Sequence, residues 1–370
     1  MPYFFKNYIY RRGLFVRYFD YLGEKEEKRL FHKAPKEFNK NEDKKILQYA
    51  LGGHIYVPAI RKDMIYKCLN GKIKGLTSFT ICLEDAIGIN GEGESIKNLA
   101  EVLNEIQLSN KKDVPLIFIR PRNLEQMFKF KDILEKNKDI ITGIVIPKAN
   151  GSKIDSFIEA LEKINCSKLY IMPIIESIEF IDYTLKDKYL KDLKRAVLEH
   201  SDKILNIRVG VTDILGSYGI RRDKSLTIYD NIVFKNLTFD LMSILKNDEI
   251  DISISGGVSE VYDMNNKEIL DTYIKEVKID KLNGFIGKTV IHPLQMNVVQ
   301  AMNVISYEDY MDAKSILDGV GSKYSISGSI NCERMNEVNP HTKWARKIMI
   351  LSNIYGVFNK GIKFNELFRF

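Results

Sequence analysis

The chain is predicted to fold as a (β/α)8 barrel (a TIM barrel) with an N-terminal extension and a helical C-terminal extension. Three observations support this. Eight short apolar runs recur between residues 54 and 292. They are continuous rather than alternating, as befits parallel strands buried on both faces. Longer charged segments with helical spacing separate them, and 370 residues is ample for one such barrel with additions.

The expected strands are 54–58, 79–83, 115–119, 143–147, 169–175, 204–210, 251–255 and 287–292. Between them, Ile96, Leu99, Ala100, Leu103 and Ile106 share one face of a helix over 95–107. Ile154, Phe157, Ile158 and Leu161 do the same over 152–163. An open dinucleotide-binding sheet has little support, because Gly91-Glu92-Gly93 lacks the helix-opening glycine that such a loop needs. Residues 1–53 precede the barrel, 54–304 form it, and 305–370 follow it as a segment suited to contacts between subunits. In that last segment we expect a helix over 307–317, a Gly/Ser-rich loop over 319–329 and a final helix over 344–358. The aromatics Tyr3, Phe4, Phe5, Tyr8, Tyr10, Phe15, Tyr18 and Phe19 require burial, so the N-terminal segment should pack on the barrel or on a partner.

The composition, 45% hydrophobic and 28% charged, excludes a disordered chain. The net charge is +7, and residues 1–50 carry +5 of it (twelve Lys/Arg against seven acids). The barrel itself is nearly neutral, so a small-molecule enzyme is expected rather than a nucleic-acid binder. A binding or regulatory barrel with a basic N-terminal arm is the competing class. No run of 18 apolar residues and no basic-then-apolar leader occurs, so no membrane partner and a cytoplasmic location are expected. Cys68, Cys82, Cys166 and Cys332 are widely spaced, and none of the five His lies in a metal-site spacing, so the cysteines read as reduced structural thiols.

Barrel active sites lie at the C-terminal strand ends. There the second run meets Glu84-Asp85, the third Arg120, the fourth Lys148, the fifth Glu176, the sixth Asp213 and the eighth His292. Glu176 and Asp213 come from adjacent strands and are hard oxygen donors of the kind that hold Mg²⁺. Arg120 offers a planar fork for a carboxylate or enolate oxygen. A divalent cation beside an Arg suits carbon–carbon cleavage of an oxo or hydroxy acid.

Tyr56-Val57-Pro58-Ala59, Leu83-Glu84-Asp85-Ala86, Ile119-Arg120, Pro147-Lys148, Ile174-Ile175-Glu176-Ser177, Gly210-Val211-Thr212-Asp213 with Gly219, and Gly287-Lys288 with Ile291-His292-Pro293-Leu294-Gln295 follow one another in order. On these motifs the chain resembles the citrate lyase beta-subunit-like branch of the HpcH/HpaI aldolase superfamily, over roughly 52–358. The resemblance implies a lyase whose metal, Mg²⁺ or alternatively Mn²⁺, is held by Glu176 and Asp213. Arg120 would act on the substrate oxygen, with Glu84 and Asp85 supporting Arg120 and the metal waters. Tyr56, Arg122 and Lys148 are the remaining substrate-binding candidates. It also implies a homo-oligomer in which a C-terminal acid, here Glu337, exchanges protons, in some relatives across subunits. The chain departs from the family at Cys82, where an Asp is usual, at Arg122, a second arginine in Arg120-Pro121-Arg122-Asn123, and at Gly52-Gly53-His54, where a basic residue is common. These departures leave open whether the small-molecule substrate is a CoA thioester, a free acid, or a phosphorylated or sugar-like acid. His292, followed by Pro293, is expected to orient its loop rather than to react.

Overall fold

The structure, a computed structural model, describes residues 16–109, 114–246, 250–322 and 326–369, with Ile89 described by its backbone alone. All eight expected strands form: β1 (Gly53–Pro58), β2 (Ser78–Cys82), β3 (Leu116–Arg120), β4 (Ile141–Ile146), β5 (Tyr170–Ile175), β6 (Asn206–Val209), β7 (Ser253–Ser255) and β8 (Lys288–Val290). Each pairs in parallel with the next, and β8 returns to β1 through Gly53↔Lys288. The seam between β7 and β8 is narrow: one bridge, Gly256↔Lys288, flanked by bonds from Gly256 N to Gly287 O and from Thr289 N to Gly256 O. Helices cover the outside. They include Gly151–Lys163, which buries the apolar face read from its spacing, and Glu92–Leu108, which buries Leu99, Leu103 and Ile106 and leaves Ile96 and Ala100 half-buried.

A buried ionic cluster braces the seam. Lys288 Nζ lies 3.0 Å from Glu276 Oε1 and 2.8 Å from Asp280 Oδ2. Arg222 pairs with Glu276 from the other side. Tyr229 donates to Asp280 Oδ1 at 2.5 Å.

A second apolar cluster lies at the strand beginnings, where Leu51, Leu116, Leu205 and Ile286 meet Tyr18, Phe19 and Phe38 from the N-terminal segment and Ile348, Leu351, Ile354 and Tyr355 from the C-terminal one. The two segments are joined by an antiparallel pair, Phe31–Lys33 with Val357–Phe358. Tyr18 and Phe19 are therefore buried as expected, while Tyr3, Phe4, Phe5, Tyr8, Tyr10 and Phe15 lie outside the described residues. The final helix spans Val338–Ile354, six residues earlier at its start than expected. Pro340 lies within its first turn, where a missing N–H costs nothing. Gly356, at φ +82, ends the helical stretch and turns the chain into the 357–358 strand. Within the Gly/Ser-rich stretch, Ile326–Gly328 forms a strand against Met335–Glu337. No helix among the described residues is long and apolar enough to cross a membrane.

His54, in β1, points into the barrel rather than presenting a basic group at the mouth. Its two ring nitrogens bond Ser78 Oγ (2.7 Å) and Thr80 Oγ1 (2.6 Å), and the residue is fully buried. Burial, and then the charge of Arg208, holds its pKa well below 6.5. Below pH 6.5 the unfolded chain takes up a proton at this site that the folded chain does not. Stability should therefore fall with decreasing pH from about 6.5, by up to about 1.4 kcal/mol per pH unit from this group. Urea unfolding between neutral and acid pH should show a shallower slope for His54→Asn than for the wild type. Equal slopes would show that His54 is not the group responsible.

Candidate active site

The mouth of the barrel holds a cavity of about 590 Å³ whose lining includes Tyr56, Asp85, Arg120, Glu176, Arg208, Asp213 and Thr289. Each is delivered by a strand or its exit turn. The three β3–β5 exits give Arg120 as the last residue of its strand, Lys148 two residues beyond, and Glu176 immediately after.

Glu176 is buried, and local backbone shape holds it in place. Lys148 adopts a left-handed conformation (φ +47), which a lysine rarely takes, and its N–H donates to Glu176 Oε1 at 2.8 Å. On the other side, a Cβ at Gly210 would sit 2.2 Å from Glu176 Oε2, so only glycine lets the carboxylate lie against this turn. Burial, followed by the neighbouring Asp213 charge, pushes the Glu176 pKa up to about 8. Burial, and then Asp85, also raises that of Asp213. Lys148 Nζ stands 3.8 Å from Asp213 Oδ1, which pairs it with Asp213 rather than with Glu176.

Arg120 is nine-tenths buried and held on three sides. Its Nη2 lies 3.2 Å from both Glu84 Oε2 and Asp85 Oδ2. Its Nε and Nη2 donate to Cys82 Sγ at 3.2 and 3.1 Å. The guanidinium centre stands 5.0 Å from the centre of the Tyr56 ring. Cys82, in place of the family's usual acid, thus remains a partner of Arg120 but a softer and weaker acceptor.

Two of the expected site residues, Arg122 and Glu337, lie away from the cavity, and His292 has a structural place. Arg122 does not line the cavity: its Nη2 donates to Ile87 O at 2.7 Å and its N–H to Gln126 Oε1, so it ties the β3 exit to the β2 exit. Glu337 is outside the cavity too. It sits on the strand paired to Ile326–Gly328, with its N–H donating to His341 Nδ1. His292 caps the helix Pro293–Asn303, its Nδ1 accepting from Leu294 N, with Gln295 reaching back to the cap.

Arg208 was not among the residues singled out in the sequence. It stands in β6 two residues after Asn206, on the same inward face, and is 1% exposed. The available signal was a charged residue inside an apolar run, since charged residues are almost never fully buried unless paired.

One further cluster has a spacing that could take a cation: Asp155, Glu199 and His200 on the outer helices. Arg195 already bridges Asp155 (2.7 Å) and Glu199 (2.6 Å), so their charges are met.

The barrel mouth thus gathers two carboxylates from neighbouring strands, hard oxygen donors suited to a cation, beside a braced arginine suited to an anionic oxygen. The chain belongs to the carbon–carbon bond lyase family of the TIM-barrel fold, whose profile matches residues 45–357, and is a lyase. In fold it is similar to CitE of Mycobacterium tuberculosis in complex with magnesium, acetoacetate and coenzyme A (16% identity, 82% of this chain and 99% of that one, TM-score 0.57). It is also similar to a citrate lyase of Burkholderia xenovorans LB400 (12%, 86% and 96%, 0.60) and to the magnesium/glyoxylate complex of Haloferax volcanii malate synthase (14%, 67% and 73%, 0.50). In a comparison with curated proteins, none matches.

Proposed function

We propose that the protein is a Mg²⁺-dependent lyase that cleaves or forms a carbon–carbon bond next to the carbonyl of an oxo or hydroxy acid, with Glu176 and Asp213 as metal ligands. The observation that carries this is the convergence of two carboxylates, both with raised pKa, on one cavity with Arg120. Two such acids repel each other in a poorly solvated site, and a divalent cation relieves that repulsion. The fit extends to detail: the Lys148 N–H occupies Glu176 Oε1, and the Gly210 turn leaves room for Oε2. When bound, the cation lowers the energy of negative charge on a substrate oxygen.

The chain's own groups do the rest. Arg120 presents its fork to the substrate carboxylate or to the oxygen that gains charge as the bond breaks. Glu84 and Asp85 hold that fork in orientation, and Tyr56 covers its face. Lys148 balances the charge of Asp213 and reaches toward an anionic substrate. The C-terminal acid Glu337, outside the mouth of its own chain, would serve as the proton-transfer group for a second copy, in a cytoplasmic homo-oligomer. Two neighbouring arginines would suit a phosphate, but Arg122 is committed to Ile87 O, which removes that support for a phosphorylated substrate. Whether the acid arrives free or as a CoA thioester is decided by assay.

Calorimetric titration with MgCl₂ should show one site in the wild type and none in Asp213→Asn, together with metal-dependent turnover of oxo or hydroxy acids or their thioesters. Wild-type Mg²⁺ affinity in Asp213→Asn would refute the ligand assignment.

A further inference from the structure

The barrel interior beneath the mouth is a layer of neutral polar groups, each with a partner. His54 bonds Ser78 and Thr80. Asn206 donates to Ser253 Oγ at 2.7 Å and accepts from Ser255 Oγ at 3.0 Å. Arg208 sits above this layer and departs from the pattern. Among the described residues its one well-aligned hydrogen bond runs from Nη2 to Thr289 Oγ1 at 2.7 Å, with Tyr56 beside it. Its Nε and Nη1 are buried with no aligned acceptor, and among the described residues it forms no ion pair. The Tyr56 hydroxyl, beside it in the cavity lining, is buried without an aligned partner too.

A fully buried guanidinium with no counter-ion is costly, and proteins rarely keep one for stability. The other buried cations show the usual solution: Lys288 has two carboxylates and Arg120 has Glu84. Arg208 differs in being part of the cavity lining while two of its donors, covered in the unliganded chain, meet no acceptor, so the missing acceptor is one that an entering ligand brings. Arg120 and Arg208 stand 5.0 and 5.7 Å from the centre of the same Tyr56 ring, which places both guanidinium groups within reach of one small molecule. Arg120 is already braced by acids of its own, whereas Arg208 is the more demanding of the two.

We propose that Arg208, with Thr289 and the Tyr56 hydroxyl, is the receptor for a second acidic group on the substrate, a carboxylate remote from the reacting end. The substrate is then a short doubly anionic acid rather than a monocarboxylate. This rests on the lyase reading for what occupies the Arg120 end. It adds the chemistry of the other end.

The test uses two inert 2-hydroxy acids, malate and lactate, which share a head group and differ by one carboxylate. Calorimetry on the full chain with MgCl₂ should show racemic malate binding about ten- to a hundredfold more tightly than racemic lactate, the range expected for one charge-assisted pair. Arg208→Met should abolish that preference and leave lactate affinity unchanged. Thr289→Val should reduce it by a smaller factor. The unliganded Arg208→Met chain should melt no lower than the wild type, because it has lost an unpaired buried charge; an arginine kept for structure would give a lower Tm. Equal affinities in the wild type, or a preference that survives Arg208→Met, would overturn the assignment while leaving the lyase reading intact. A malate preference that depends on Arg208 but is the same in EDTA would uphold the assignment and overturn the metal reading. Binding of neither acid would overturn the assignment.

Discussion

Glu176→Gln should lose Mg²⁺ binding and about 10²–10³-fold in turnover, yet make the metal-free chain more stable. The two effects share a cause. Glu176 is buried beside Asp213, and its pKa is about 8 in the folded chain against 4.5 for an ordinary glutamate. Between those values the unfolded chain has released this proton and the folded chain retains it. Folding is therefore progressively penalised as pH rises from about 4.5, and the penalty levels off above about 8. Glutamine fills the same space, still accepts the Lys148 N–H, and carries no charge to desolvate. Thermal melts of the two metal-free chains should thus diverge as pH rises toward 8, with the glutamine chain higher. Adding MgCl₂ should reverse the order, because only the wild type gains a ligand that binds the folded state. A glutamine variant that melts lower than the wild type at high pH without metal would show that the carboxylate serves the fold rather than the site.

The barrel was legible because its strands are buried on both faces, which makes each a continuous apolar run such as Ile144-Val145-Ile146 or Ile171-Met172. Strand-end charges were legible for the complementary reason. A carboxylate or guanidinium directly after such a run must meet either solvent or a cavity, and Arg120, Glu176 and Asp213 meet the same cavity. Three features were less accessible. Arg122 differs from Arg120 by two residues, but the exit turn points its side chain back to Ile87, and turn direction is not encoded in residue type. Arg208 was hidden within a strand, where only the two-residue spacing from Asn206 puts it on the same inward face. Glu337 could be placed only through the packing of helices 307–318 and 338–354, contacts between segments distant from the strands they support.

The largest loss of stability should come from Lys288, a residue of the late Gly287-Lys288 motif that touches no cavity residue in the ion-pair pattern seen here. Lys288→Met should cost about 3–5 kcal/mol, the range for removing one partner of a buried charge cluster. The Lys288 side chain is 1% exposed and is the cation shared by Glu276 and Asp280, whose side chains are 0% and 3% exposed. Without it, Asp280 retains, among the described residues, the Tyr229 hydroxyl, and Glu276 retains Arg222 and the Ile228 N–H. The site magnifies the effect, because β7 and β8 are joined by a single bridge at Lys288 and the cluster braces that seam from the helix Lys267–Leu282. Failure there opens the barrel between its last two strands, next to Thr289 and the cavity mouth. Neutralising Asp280 along with the lysine (Lys288→Met, Asp280→Asn) should recover much of the loss, since Glu276 keeps Arg222 and most of the cost lies in the stranded carboxylate and not in the absent attraction. Urea unfolding of the single and double variants separates these contributions. A single variant within about 1 kcal/mol of the wild type, below the range expected for breaking a buried pair, would mean that water or repacking already satisfies Glu276 and Asp280.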